Sequence, residues 1–372
     1  MNKKIFIIAG EPSGDLIAAK LVKALRNTDL GPWIEGVGGA NMKALGIESL
    51  FPMSDISIMG FAEILPKIIR IIYRLHQTYR YILKFKPDIV ITIDSPGFNF
   101  RLVKMLRAKL GKSIPIIHYV APSVWAYKPE RVKTVKQLYD HQILILPFEA
   151  PYFIKAQVPS TYVGHPIFED LSHATPKPAK PITLAVMPGS RMGEINRHAP
   201  IFAESCRLMH KKHPSLKCIV FTLPHLKESL SKHFPEAYFQ IIDSHAEKNK
   251  MLPKCTAALV KSGTSSLEVL GHMVPMVVAY KVNFITAWYI KRKLNIKYVS
   301  IANIIAGKSI IPELLQEKCT PKLISSNLMP LLSNSLQRKH AMSEYKMVQK
   351  ALIPDGDTAS QKAADLVMGF IR

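Results

Sequence analysis

The chain has 372 residues, 48% hydrophobic and 21% charged, with 50 Lys and Arg against 27 Asp and Glu for a net charge of +23. That length exceeds what one core usually supports and implies two domains, and the apolar content excludes a disordered or fibrous chain. The basic excess calls for an anionic partner such as lipid headgroups, a phosphorylated substrate or nucleic acid.

In chain order, Ile5-Phe6-Ile7-Ile8-Ala9 is the first strand. It is too short for a secretory leader and stops at Glu11, and no later run approaches a membrane span, so a cytoplasmic protein is expected. Gly10-Glu11-Pro12-Ser13-Gly14-Asp15 then opens a helix with two carboxylates and a hydroxyl, which reads either as a capped helix start or as a site. Gly36-Val37-Gly38-Gly39 is a further Gly-rich turn. It lacks the spacing of a dinucleotide fingerprint, which argues against a nicotinamide-dependent oxidoreductase.

From Glu63 to Lys86 the spacing predicts an amphipathic helix. Ile68, Ile69, Ile72 and Leu75 fall on its apolar face, and Lys67, Arg70 and Arg74 on its basic face. Periodicity alone fits a core helix with a solvated side, or a helix lying on an anionic membrane. The next strand, Ile89 to Ile93, is closed by Asp94, followed by Ser95-Pro96-Gly97-Phe98-Asn99. A carboxylate fixed by a Pro-Gly turn can take a proton from a hydroxyl, or merely cap the next helix. Ile116 to Val120 and Ile143 to Leu146 complete a set of strands alternating with helices, the pattern of a parallel sheet with ligands beyond its carboxyl edge.

Residues 172–181 hold three prolines and no large apolar side chain, so they form a linker between a domain at 1–171 and one at 182–350. The rhythm restarts with Ile182 to Met187, Lys217 to Phe221, Phe239 to Ile242, Ala257 to Lys261 and Met276 to Tyr280. Two doubly wound α/β domains joined in this way are expected to enclose a cleft. Met187-Pro188-Gly189-Ser190-Arg191-Met192-Gly193-Glu194 brings a small-residue turn, helix N–H groups and a guanidinium together, the makings of a diphosphate site. Ser262-Gly263-Thr264-Ser265-Ser266-Leu267-Glu268 offers hydroxyls to phosphate and a carboxylate to a ribose diol, while Ser265 with Glu268 also reads as a capping box. Lys291-Arg292-Lys293 beside Trp288 and Tyr289 is compatible with headgroups.

Cys206, Cys218, Cys255 and Cys319 lack paired spacing and read as buried thiols rather than a metal or redox site. A C-terminal helix, within 351–372, is long enough to cross back to the first domain, of its own chain or of a partner in a homodimer.

Two α/β halves with these loops suggest a nucleotide-sugar transferase of the two-Rossmann, GT-B type. Over nearly its whole length the chain also resembles the lipid-A-disaccharide synthase family. The resemblance rests on Gly10 to Asp15, Asp94 to Asn99, Val163-Gly164-His165-Pro166, Pro188-Gly189-Ser190-Arg191, Ser262-Gly263-Thr264 with Glu268, and Tyr298-Val299-Ser300-Ile301-Ala302-Asn303 leading to Pro312-Glu313-Leu314-Leu315-Gln316. It implies an inverting, metal-free and cofactor-free enzyme. Such an enzyme transfers 2,3-diacylglucosamine from its UDP donor to the 6-hydroxyl of 2,3-diacylglucosamine 1-phosphate (lipid X), giving the β-1,6-linked disaccharide of lipid A.

Carried onto this chain, the resemblance makes Asp94 the base, with Glu11 and Ser13 on the acceptor side. Gly189, Ser190, Arg191 and Glu194, together with Ser262, Gly263, Thr264, Ser265 and Glu268, would hold UDP. Asn303, Glu313 and Gln316 would wall the donor sugar. Two positions depart from the family: Pro12, where Ala is commoner, and Gly97, where an acid is frequent. Acylated substrates require an enzyme that meets a bilayer, which favours the membrane-facing reading of the helix from Glu63 and a peripheral location on the cytoplasmic face of the inner membrane. The rival readings are a UDP-sugar 2-epimerase, another lipid-acceptor transferase on the same scaffold, and a basic RNA-binding protein. The last is disfavoured because no aromatic-interleaved basic stripe or nucleic-acid fold signature is present.

Overall fold

The computed structural model describes residues 3–57, 68–171, 181–283, 296–333, 335–353 and 355–371. The chain divides into two compact units, Met1–Glu169 with Leu352–Arg372, and Asp170–Ala351.

Unit 1 is a parallel sheet of β1 (Lys4–Ala9), β2 (Trp33–Val37), β3 (Ile89–Ile93), β4 (Ile116–Tyr119), β5 (His141–Leu144) and β6 (Ser160–Tyr162), in the order β2-β1-β3-β4-β5-β6. Its helices are α1 (Pro12–Arg26), α2 (Ala40–Lys43), α3 (Ile68–Phe85), α4 (Pro96–Leu110), α5 (Arg131–Leu138) and α6 (Ala150–Lys155). The central strands β1 and β3 are mostly apolar because helices cover both faces of the sheet, leaving Ile5, Ile7, Ile8, Ile91 and Ile93 without solvent contact. The strand order reverses between β1 and β3, which is where open α/β sheets hold ligands.

Unit 2 repeats the plan with β7 (Thr183–Met187), β8 (Lys217–Phe221), β9 (Phe239–Ile242), β10 (Ala257–Lys261), β11 (Met276–Tyr280) and β12 (Glu313–Leu315) in the order β12-β11-β10-β7-β8-β9. Helices α7 (Met192–Lys212), α8 (Lys227–Ser231), α9 (His245–Met251), α10 (Thr264–Gly271), α11 (Ile301–Ala306) and α12 (Pro321–Leu328) surround it. Its order reverses between β7 and β10. One core joins Val186, Phe202, Cys206, Cys218, Leu259 and Ile324, and all four cysteines are buried and free.

The chain then leaves along α13 (Leu336–Leu352) and continues to α14 (Ala359–Gly369), which packs on α1. Ala359, Ala363 and Ala364 are fully buried, and alanine lets the two helices approach closely. The Val163-Gly164-His165-Pro166 segment seats this return. His165 N–H donates to Leu352 O at 2.9 Å, the Lys20 ammonium donates to Pro166 O at 2.6 Å, and Ser360 N–H donates to Glu169 Oε1 at 2.6 Å.

Three details differ from the sequence reading. Strand β5 begins at His141, two residues before the expected apolar run, because Gln142 is buried with its amide donating to His118 O at 3.0 Å. Gly36 and Val37 belong to β2 rather than to a turn; a Cβ on Gly36 would stand 1.9 Å from Ile7 O, so this close approach admits glycine. Helix α3 is divided in use. Leu75 is only 8% exposed and packs with Ile82 in the core, while Arg74 lies 2.8 Å from Asp55 and over the Phe51 ring, so neither faces outward as expected. Ile68, Ile69 and Ile72 are exposed, Ile69 to 82%, and Arg70 extends toward solvent 3.5 Å from Asp55. The expected contributions of Glu63 to Lys67, of the linker Ser172 to Lys180 and of the cluster around Trp288 to Lys293 lie outside the described residues.

Candidate active site

In unit 1 the loop after β1 meets the loop after β3. Ala9 and Ile93 pair across the ladder, and a Cβ on Gly10 would stand 2.4 Å from Ser95 Oγ, so the two turns are in direct contact. Glu11 and Ser13 lie at the start of α1, and Asp94 on the facing turn. Asp94 and Ser95 both adopt left-handed backbone, φ 50° and 46°, and β-branched Val120, at the end of the next strand, does so at 72°. Such conformations cost about 1–3 kcal/mol each and persist only where surroundings enforce them.

Here the enforcement is visible. Asp94 N–H donates to Tyr119 O at 3.0 Å, and the buried Asn99 amide donates to Asp94 O at 2.7 Å. Burial pushes the Asp94 carboxyl above its ordinary range, opposed by a hydrogen bond from the Ser95 backbone. A carboxylate desolvated in this way is a stronger base. Asp15, the second acid of the first loop, is fully occupied by the backbone of Gly39, Asn41 and Met42, the Gly39 bond being 2.7 Å, and it fixes α2.

In unit 2 the corresponding loops follow β7 and β10, neighbours with Val260 opposite Met187. Gly189 and Gly263 turn with φ 143° and 144°, a region that side chains rarely adopt. Behind each turn a helix begins, α7 after Arg191 and α10 after Gly263, so backbone donors and the positive ends of two dipoles point into the crevice. Thr264 and Ser265 are exposed, with Ser262 half-buried beside them.

Glu194 is engaged within its own turn. Its Oε2 accepts from Ser190 N–H at 3.0 Å, and its Oε1 lies 3.4 Å from Arg191 and 2.8 Å from Lys261 Nζ. Burial pushes this carboxyl up, but Lys261, the Ser190 N–H and Arg191 outweigh it and hold it below its ordinary range. It is the counter-ion that shapes the turn, and it takes the Ser190 N–H that was expected to face phosphate. Lys261, which ends β10, was not foreseen: in the sequence it closes an apolar run and its partner stands 67 positions earlier.

The capping box does not form. The N-cap of α10 is Gly263 with no side-chain bond, and Glu268 Oε1 instead pairs with Lys248 Nζ at 2.7 Å. Asn303 and Glu313 are also placed otherwise than expected. Asn303 is buried, donating to Ile311 O and Glu313 Oε1 at 2.9 and 2.7 Å while accepting from Ile310 and Ile311 N–H, which uses its whole amide. Glu313 additionally accepts from Val299 and Ser300 N–H at 2.9 and 2.8 Å. Glu313 thus braces the loop before α11, and Asn303 the segment that follows it. Gln316 is half-buried with left-handed backbone, φ 51°, and accepts from Val282 N–H at 3.4 Å. Among the described residues, no three His, Cys, Asp or Glu side chains converge as a metal site.

Solved structures with this fold include the glycotransferase of kitacinnamycin, with a TM-score of 0.67 at 14% identity and 99% of both chains covered. Another is UDP-GlcNAc 2-epimerase from Neisseria meningitidis bound to UDP-GlcNAc, at 0.64 and 11%, with 98% of both covered. At such identities the likeness concerns architecture, the two-domain α/β fold of GT-B glycosyltransferases. Sequence relatives say more. The lipid-A-disaccharide synthase of Rickettsia prowazekii (strain Madrid E) is 40% identical over 377 residues, covering 98% of each chain. That of Granulibacter bethesdensis is 38% identical over 377, covering 97% of this chain and 94% of the relative. The family model described as lipid-A-disaccharide synthetase matches residues 5–367, and with these relatives it establishes that the chain belongs to the lipid-A-disaccharide synthase family of glycosyltransferases.

Proposed function

We propose that this chain transfers 2,3-diacylglucosamine from its UDP donor to the 6-hydroxyl of 2,3-diacylglucosamine 1-phosphate, releasing UDP and leaving a β-1,6 linkage. The observation that carries this reading is the contrast at the two switch points. One holds a half-buried, desolvated carboxylate, Asp94, and the other a turn with helix N-termini and the Arg191 guanidinium. An inverting displacement needs both: a base at the attacking hydroxyl, and fixed positive potential where the departing diphosphate gathers charge. Asp94 takes the hydroxyl proton, while Glu11 and Ser13, on the loop touching that of Asp94, orient the acceptor. The Gly189 turn and Arg191 hold the diphosphate. Ser262, Thr264 and Ser265 donate to phosphate, Glu268 accepts from ribose, and Gln316 borders the donor sugar.

Both sugars carry acyl chains, so the enzyme works against a bilayer as a peripheral protein on the cytoplasmic side. In the described residues no helix is long and apolar enough to cross a membrane. The exposed Ile68, Ile69 and Ile72, with Arg70 beside them, supply an apolar and basic surface suited to anionic headgroups.

The test is incubation with UDP-2,3-diacylglucosamine and the 1-phosphate acceptor, followed by analysis for UDP and disaccharide. Inversion of a UDP-sugar without any acceptor would indicate an epimerase instead. Tight, salt-sensitive RNA binding without uridine-nucleotide binding would overturn the enzymatic reading altogether.

A further inference from the structure

The loop that leaves β4 starts beside the proposed base. Asp94 N–H donates to Tyr119 O at 3.0 Å, and Tyr119 is the last residue of β4, so the turn holding Asp94 is bonded to the strand end from which this loop departs. The loop is anchored at several points. Ala121 and Val124 are buried in the core of unit 1, Trp125 stands edge-on to Phe148 with ring centroids 5.2 Å apart, and its indole N–H lies beside the buried Glu149 carboxyl. Tyr127 N–H donates back to Ser123 O at 2.9 Å, and Arg131 N–H to Lys128 O at 3.0 Å as α5 begins. A segment tied down in this way carries Tyr127 to Arg131 at a set place, as functional loops on a rigid sheet do.

Two cations gather on one ring there. Lys128 Nζ lies 5.3 Å from the centre of the Tyr127 ring, and the Arg131 guanidinium carbon 5.7 Å from it. Lys128 is exposed and stands on left-handed backbone, φ 53°, Arg131 is half-buried, and Glu130 between them in the chain is exposed. An aromatic face attracts a cation through its quadrupole and has no net charge, so it positions Lys128 and Arg131 without neutralising them. Among the described residues neither is in ion-pair contact with a carboxylate, whereas Arg74 and Arg107 of the same unit are matched to Asp55 and Asp140. Like charges held near one ring favour an anion that bridges them. The terminal oxygens of a phosphate monoester can take the planar fork of one and the point charge of the other at once.

We infer that Lys128 and Arg131 bind the 1-phosphate of the acceptor sugar. This rests on the proposed reaction, in which the acceptor is a phosphate monoester and Asp94 receives its hydroxyl proton. The donor's diphosphate has its turn in unit 2, and the second phosphate, which arrives with the acceptor, needs cations of its own in unit 1. The loop from β4 supplies them from the strand next to that of Asp94. A grip on the phosphate at C1 limits where the 6-hydroxyl of the same sugar can stand, which turns a charge contact into alignment for attack. No bond to phosphorus forms or breaks. The phosphate is a handle, and the two cations select a sugar 1-phosphate over a neutral sugar.

The test is steady-state kinetics of the full chain in neutral detergent micelles, with 2,3-diacylglucosamine 1-phosphate and with 2,3-diacylglucosamine, which lacks the phosphate. The double variant Lys128→Gln with Arg131→Gln should raise KM for the phosphorylated acceptor about 10- to 100-fold, since two charge-assisted contacts are lost, and leave KM for the UDP donor near wild type. With the unphosphorylated acceptor the double variant and wild type should be alike, and Lys128→Arg, which keeps the charge, should stay near wild type with both. An unchanged KM for the phosphorylated acceptor sinks the inference. So does an equal loss with both acceptors, which marks a purely structural role. Sedimentation separates a membrane source of the anion: if the double variant loses binding to anionic vesicles while its preference for the phosphorylated acceptor persists in micelles, the cations read lipid headgroups and the inference fails. A wild-type chain that releases no UDP with the phosphorylated acceptor would instead remove the proposed reaction itself, a result distinct from all of these. Thermal melts of each variant confirm that the kinetics are read on folded protein.

Discussion

Units 1 and 2 each wind six parallel strands about a reversal of strand order, at β1 and β3 in one and at β7 and β10 in the other. The loops at those points hold charge by different means. In unit 1 the carboxylate of Asp94 stands on left-handed backbone clamped by Asn99, and burial raises its pKa against a hydrogen bond from the Ser95 backbone. In unit 2 the carboxylate of Glu194 is surrounded by Lys261, Ser190 N–H and Arg191, and its pKa falls. The lesson is that one architecture can raise or lower the proton affinity of an acid at equivalent places, depending on whether strain or counter-charge fixes the side chain.

The contrast breaks most sharply at Asp94. Asp94→Asn keeps the shape of the turn and removes the base, so kcat should fall by about 10³-fold or more with UDP affinity unchanged. Retained turnover would remove Asp94 from the chemistry. In the wild type the acid limb of the kcat profile should lie above the ordinary aspartate range, because the raised pKa delays ionisation as pH rises. Arg191→Met, on the other side of the comparison, should cost about 10²-fold in rate and weaken UDP as well, since its interaction begins in the bound donor and strengthens as the diphosphate leaves. A variant that loses UDP affinity but keeps kcat would confine Arg191 to ground-state binding.

Much of this was legible in the sequence. The buried strands Ile5 to Ala9, Ile89 to Ile93 and Ala257 to Lys261 announce themselves as unbroken apolar runs, and the small-residue turns after β1, β3, β7 and β10 mark where ligands gather. What the sequence hid was pairing. Gly36 looks like a turn residue until Ile7 is seen pressing on it, and Leu75 looks like a membrane residue until α3 is docked on the sheet. Glu194, Asn303 and Glu313 have the chemistry of ligands, and each is also engaged by neighbours that no local pattern reveals. Lys261 was invisible for the same reason, since its partner Glu194 lies on another strand's loop.

A smaller effect is expected on the surface of unit 1, where α3 exposes Ile68, Ile69 and Ile72 instead of turning them inward with Leu75. Burying three half-exposed isoleucines in a bilayer contributes about 1 kcal/mol each, roughly a hundredfold in affinity together. Changing all three to Ser should therefore abolish sedimentation with anionic vesicles while UDP affinity and thermal stability stay near wild type. A variant that unfolds would return this end of α3 to the core, and one that still binds vesicles would place the membrane contact elsewhere.

The smallest effect tests the comparison on a matched pair of acids. Glu149, in the turn after β5, accepts from Leu146 N–H at 3.1 Å much as Glu194 accepts from Ser190 N–H at 3.0 Å, and both are buried. Glu194 has the cations Lys261 and Arg191 beside it. Burial therefore pushes Glu149 up from 4.5 to about 8, against weaker opposition from the Leu146 and Ile145 backbone, while Glu194 is held low. Because the folded state binds the Glu149 proton more tightly than the unfolded chain, its stabilisation is complete below about pH 4.5 and is lost as pH rises through about 8. Glu149→Gln cannot ionise, so its Tm should gain on wild type by a few degrees between pH 5 and pH 9. For Glu194 the sign reverses: its stabilisation is present above the ordinary carboxylate range and disappears as pH falls through its lowered pKa. Glu194→Gln should thus lie below wild type at pH 7, and the gap should close in acid. Parallel Tm profiles for Glu149→Gln and wild type would mean that this carboxyl is as well compensated as Glu194, and that the two units hold their acids by the same means.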